Sequence, residues 1–125
     1  MSVLLDSDIV IEILRSRDQE ILALWNALAN SSSEILFSPV TATEVWAGAR
    51  PSEQQTIAGF FPMLKCAQAD YRIGKRAGDL IRQFGKSHGL KIGYALIAAT
   101  AILNQAALWT RNRKHYPMPD LSFYA

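Results

Sequence analysis

The chain has 125 residues, of which 50% are hydrophobic and 19% charged, with a formal net charge of +2. This composition excludes a disordered chain and predicts one folded domain over residues 1–125 with a sizeable core. The charge balance is too small to mark a nucleic-acid binder by itself, so any such role rests on where the charges sit. Cys66 is the only cysteine, which excludes an internal disulfide and a zinc site built from several thiolates. With only His88 and His115, a His-rich metal centre is excluded too. The opening Met1-Ser2-Val3-Leu4-Leu5-Asp6 has no basic leader and meets an acid at once, so it does not read as a signal peptide. The longest apolar stretch, residues 94–103, is shorter than the ~20 residues a bilayer span requires. Together these features predict a reduced, cytoplasmic protein with no membrane association.

In chain order, Val3-Leu4-Leu5 reads as a short buried strand ending at Asp6. Ser7 or Asp8 can cap a helix that carries Ile9, Ile13 and Leu14, broken at Ser16-Arg17-Asp18. Ile21, Leu22, Trp25 and Leu28 give a second helix, followed by a polar loop over residues 30–33. Ile35-Leu36-Phe37 is the next strand, ended by Ser38-Pro39. Thr41 or Thr43 precedes a helix over residues 44–49, which stops near Arg50-Pro51. Residues 54–61 form a shorter helix, and Met63-Leu64 is a weak strand candidate. Asp70 starts a long helix with a stop at His88-Gly89. Residues 95–105 form a buried helix of small apolar residues. Residues 107–110 form another strand, 111–115 a polar segment, and 121–124 a closing edge strand. Strands alternating with helices predict an α/β fold with a mainly parallel sheet. Trp25, Trp46, Trp109 and Cys66 read as core residues.

In open α/β sheets, ligands bind beyond the carboxyl ends of the strands. Asp6 and Asn112 fall just after strands, and Glu44 sits at the start of the helix after the second one. Carboxylates gathered at that edge repel one another unless a cation lies between them, and hard oxygen donors suit Mg²⁺ or Mn²⁺. Each residue taken singly also has a plain structural alternative. Asp6 can be a strand end or helix cap, Glu44 an exposed helix residue, and Asn112 a turn residue. Arg111-Asn112-Arg113-Lys114-His115 can be a solvated loop.

Four segments together carry a resemblance. They are Leu4-Leu5-Asp6-Ser7-Asp8-Ile9-Val10-Ile11-Glu12; Ser38-Pro39-Val40-Thr41-Ala42-Thr43-Glu44-Val45-Trp46-Ala47-Gly48-Ala49; Leu90-Lys91-Ile92-Gly93-Tyr94-Ala95-Leu96-Ile97-Ala98-Ala99-Thr100-Ala101; and Leu108-Trp109-Thr110-Arg111-Asn112-Arg113-Lys114-His115-Tyr116. In order and spacing they resemble the four motifs of PIN-domain nucleases, over essentially the whole chain. The short length and the third segment are similar to the VapC toxins of bacterial toxin–antitoxin pairs. The resemblance implies a PIN-like three-layer α/β/α sandwich with a sheet of four to five strands. It implies an endoribonuclease dependent on Mg²⁺, with Mn²⁺ as an alternative, that cuts structured RNA such as transfer or ribosomal RNA. Its implied partners are a cognate VapB-type antitoxin and a second copy of the chain in a homodimer. By position, Asp6 and Glu44 are the implied metal-binding acids, Asn112 the fourth-motif residue and Thr110 a supporting hydroxyl. Arg111, Arg113 and Lys114 are implied contacts to RNA phosphates.

The third motif departs from the pattern. Where the family carries an aspartate, this chain carries Tyr94. A phenol with a pKa of ~10 is neutral at pH 7 and a weak metal ligand. Its ring is also far larger than a carboxyl group. With Asn112 neutral as well, Asp6 and Glu44 remain as the charged pair, which predicts weak metal binding and little nuclease activity. The rival expectation is a naturally degenerate domain that binds antitoxin or RNA without catalysis.

Overall fold

A computed structural model describes all 125 residues. Its centre is a four-stranded, all-parallel sheet in the order β3-β2-β1-β4. Strand β1 spans Ser2–Leu5, β2 Glu34–Phe37, β3 Lys65–Cys66 and β4 Ala107–Trp109. Six helices connect them: α1 Ser7–Arg15, α2 Gln19–Ala29, α3 Pro39–Ala47, α4 Gln54–Phe60, α5 Tyr71–His88 and α6 Ile92–Leu103.

Side chains alternate across a strand, so each strand feeds two cores. Leu4, Leu36 and Leu108 join α5 and α6 on one face, through Ile73, Ala77, Leu80 and the alanines of α6. Val3, Leu5, Phe37 and Trp109 point to the other face, against Ile9, Ile13, Ile21, Val45 and Phe60 from α1 to α4. This is the α/β/α sandwich. The two-sided burial explains why Val3-Leu4-Leu5 is apolar without alternation. The small residues Ala95, Ala98, Ala99 and Ala101 are buried in the core, where they leave room for α5 to pack closely.

Several local expectations are corrected. The cap of α1 is Asp6, whose carboxylate accepts from the Ser7 amide, and not Ser7 or Asp8. Helix α3 starts at Pro39, because the Ser38 hydroxyl accepts from the Val40 amide and proline suits the first helical position. Glu44 therefore lies in the second turn of α3, not at its start. The third strand is Lys65–Cys66, since Met63 is held in a 3-10 turn. Helix α6 starts at Ile92, which puts Tyr94 in its first turn. Residues 121–124 make one bridge, Leu108 to Phe123, and no strand. Trp109 is buried, but Trp46 and Cys66 are exposed. No helix is long and apolar enough to cross a membrane.

Leu4 is fully buried on a central strand. Leu4→Ala should lower unfolding free energy by about 2–5 kcal/mol, measured by urea denaturation, because the surrounding strands can only partly collapse onto the void.

Candidate functional site

The carboxyl ends of β1 and β4 lie side by side, and the site is built where they stop. Asp6 follows β1 directly, and its amide donates to the Trp109 carbonyl at 3.0 Å. Its carboxylate is 3% exposed and takes three hydrogen bonds. The Ser7 amide donates to Oδ1 at 2.8 Å. The Thr110 hydroxyl and the Tyr116 phenol donate to Oδ2 at 2.9 and 2.7 Å. Thr110 Oγ1 in turn accepts from the Asn112 amide at 3.1 Å, so it supports both Asp6 and the loop after β4.

Glu44 arrives from α3. The buried Thr41 hydroxyl donates to the Leu5 carbonyl at 3.4 Å, which ties α3 to the end of β1. Glu44 lies three residues further on, on the same side of the helix. It is exposed, and its Oε1 accepts from the Ser7 hydroxyl at 3.1 Å.

Tyr94 is half-buried, close enough to Asp6, Glu44 and Asp8 to feel their charges. Its ring stacks on the His115 imidazole, with centroids 4.6 Å apart and 6° between planes, and meets Tyr116 edge-on at 5.4 Å. Burial raises the Tyr94 pKa, and the negative charges of Asp6, Glu44 and Asp8 raise it further. The phenol is therefore neutral at physiological pH. Tyr116 is pushed far above the ordinary phenol range by burial, then by the Asp6 charge it faces.

Three contributors escaped the sequence reading: Ser7, Asp8 and Tyr116. Asp8 Oδ2 accepts from the Arg111 amide at 2.9 Å and from Asn112 Nδ2 at 3.1 Å. Its Oδ1 is buried and has no partner. Its place two residues after Asp6 was the available signal, but a first-turn acid reads first as a helix-terminus residue. Tyr116 had no local signal at all, since it meets Asp6 across 110 positions. Of the cations read as phosphate contacts, Arg111 pairs with the buried Glu12 at 3.2 Å. The Arg113 guanidinium lies over the Phe123 ring at 4.8 Å. Lys114 is exposed and has no ion-pair partner.

The comparisons with known proteins agree with this architecture. The PIN domain family matches residues 3–121. Ribonuclease VapC19 of Mycobacterium tuberculosis is 36% identical over 120 residues, covering 94% of this chain and 95% of that protein. Ribonuclease VapC10 of the same organism is 32% identical over 121 residues, covering 93% and 86%. Among solved structures, VapBC2 from Rickettsia felis, bound to a promoter DNA fragment, superposes with a TM-score of 0.83 at 22% identity, covering 99% and 98%. A toxin–antitoxin complex from Klebsiella pneumoniae gives 0.75 at 28% identity, covering 95% and 94%. The chain belongs to the PIN-domain family, within its VapC group.

Two predictions test the geometry. Tyr116→Phe removes a hydrogen bond to a buried carboxylate and should cost about 1.5–3 kcal/mol of stability at neutral pH in urea denaturation. Asp8 has its pKa raised above the ordinary 3.8, first by burial and then by the Asp6 charge. The folded state therefore holds this proton to higher pH than the unfolded chain does. The contribution of Asp8 to stability falls as pH rises from about 3.8 through its folded pKa. Asp8→Asn removes that penalty while its amide oxygen keeps the two accepted bonds. With chelator present, the variant should melt above the parent at pH 7, and the difference should shrink as pH falls toward about 3.8.

Proposed function

We propose that this chain is the toxin subunit of a toxin–antitoxin pair, built on a site for cutting structured RNA, with cleavage disabled at Tyr94. The observation that carries the reading is the Tyr94 ring at the acidic pocket, where the family pattern has an aspartate. Two relatives named as ribonucleases, each more than 30% identical over nearly all of this chain, support the nuclease scaffold. The neighbours solved as toxin–antitoxin complexes support a VapB-type antitoxin as partner.

The chemistry of the donors decides how the site works. A Mg²⁺ or Mn²⁺ ion prefers several hard oxygen donors with open lone pairs. Here no three His, Cys, Asp or Glu side chains lie close enough to hold a metal. Three of the accepting positions on Asp6 are taken by Ser7, Thr110 and Tyr116. Glu44 and Asp8 are the other acids, and position 94 supplies a neutral phenol instead of a further one. The residues present do not fit a resident divalent ion, so the chain as written binds metal weakly.

What remains is a folded scaffold with negative charge at Asp6, Asp8 and Glu44, offset only at Asp8 by Arg111. A phosphate entering this pocket meets like charge, which disfavours both binding and the charge build-up of hydrolysis. A carboxylate at position 94 would add a fourth acid beside Asp6, Asp8 and Glu44. Asn112 and Thr110 are positioning residues in this reading, since they hold the loop beside Asp6 through Asp8 and Asp6 themselves. The second reading is a PIN domain that serves only as an antitoxin- or RNA-binding module. The ordered packing of Tyr94 against His115 and Tyr116 favours it, because the ring costs the fold no visible contact.

Tyr94→Asp separates the two. The variant should cleave transfer or ribosomal RNA in Mg²⁺ at least about 100-fold faster than the parent. It should also arrest growth when expressed without antitoxin, and bind Mn²⁺ more tightly by calorimetry. No gain in cleavage, in growth arrest or in metal affinity would leave only the binding-module reading.

A further inference from the structure

Most of the basic side chains in this protein are paired with a carboxylate, and the exceptions are few. Of the 13 Lys and Arg residues, the five without a carboxylate partner are Arg50, Lys86, Lys91, Arg113 and Lys114. All but Arg50 lie on two segments. Lys86 is in the last turn of α5, and Lys91 caps α6 three residues before Tyr94. Arg113 and Lys114 lie in the short helical turn after β4, beside His115. All four are exposed. The stacked Tyr94 and His115 rings join the two segments, one ring from each, and both residues remain half-exposed.

We propose that the Tyr94–His115 pair is a base-stacking step for single-stranded RNA, with Lys91 and Lys114 holding the flanking phosphates. Arg113 and Lys86 extend the basic rim to either side. The proposal rests on the reading that this chain handles RNA without cutting it.

The electrostatics set which part of the nucleotide meets the rings. The negative charges of Asp6, Glu44 and Asp8 act on the Tyr94 hydroxyl and repel phosphate from that end of the ring. The backbone is therefore held to the cationic rim, and the uncharged base is the part that can lie over the aromatic step. A duplex keeps its bases stacked on each other and offers no free face, so the ligand is single-stranded. Stacking on an aromatic ring tolerates any base, and lysines hold phosphates without reading sequence. The site should accordingly bind with little sequence preference.

The test is fluorescence anisotropy in EDTA, using a labelled short oligoadenylate and an abasic oligomer with the same backbone. EDTA removes cleavage and any bridging cation. Oligoadenylate should bind about tenfold more tightly than the abasic strand. Tyr94→Ala should erase that margin, and Tyr94→Phe, which keeps the ring, should retain it. Lys91→Ala should weaken both oligomers alike and reduce the slope of log affinity against log salt by about 0.7. Thermal melts of each variant control for folding, with Tyr94→Phe as the rescue. Equal binding of the two oligomers overturns the proposal, as does binding of neither, or a margin that survives Tyr94→Ala. The Tyr94→Asp cleavage experiment is independent of these outcomes. A failure to restore cleavage leaves the stacking margin standing, and a missing margin leaves restored cleavage standing.

Discussion

The buried Asp6 carboxylate organises this protein. A charge at 3% exposure is costly unless every side is met by hydrogen bonds. Asp6 meets that demand with donors from three segments: Ser7 at the start of α1, Thr110 after β4, and Tyr116 beyond the following turn. One carboxylate thereby closes the helix terminus, the end of the sheet and the C-terminal segment onto each other. Glu44 is drawn in through the Ser7 hydroxyl, and Asp8 holds the Arg111–Asn112 loop from below. The pocket follows from the need to satisfy a single buried charge.

That arrangement explains how an aromatic ring is accommodated at position 94. Position 94 lies in the first turn of α6, at the edge of the alanine-lined core, against which its ring packs. A ring there need not displace Asp6, whose hydrogen bonds all come from elsewhere. It finds its own partners in His115 and Tyr116, and the latter is already fixed by Asp6. The ring presents an apolar face and leaves the scaffold standing.

The α/β class was legible in the sequence because it rests on local signals. Val3-Leu4-Leu5, Ile35-Leu36-Phe37 and Ala107-Leu108-Trp109 are apolar on both faces, and amphipathic helices separate the first two of these runs. Boundaries were less legible where side-chain chemistry competed with periodicity. Ser38-Pro39 reads as a strand terminator, yet the same pair is a helix cap with proline at the first position. The chain after Tyr116 has a strand-like apolar pattern at 121–124, but only one residue finds register with β4. Cys66 and Trp46 read as core, and the fold leaves both at the surface because β3 is a short edge strand and Trp46 lies on the outward side of α3.

By itself, the sequence determined the parallel α/β plan and the placing of Asp6 and Asn112 after strands. Those features depend on residue type and short-range spacing, which are visible along the chain. Only the tertiary structure decided what each residue touches. It joined Tyr116 to Asp6 across 110 positions, set Asp8 under Asn112 across 104, and diverted Arg111 to Glu12. It also stacked Tyr94 on His115, residues from segments that no periodicity relates. The reason is physical. A buried charge or an aromatic face takes whatever partner the folded chain brings within a few ångströms, and that neighbour is chosen by topology.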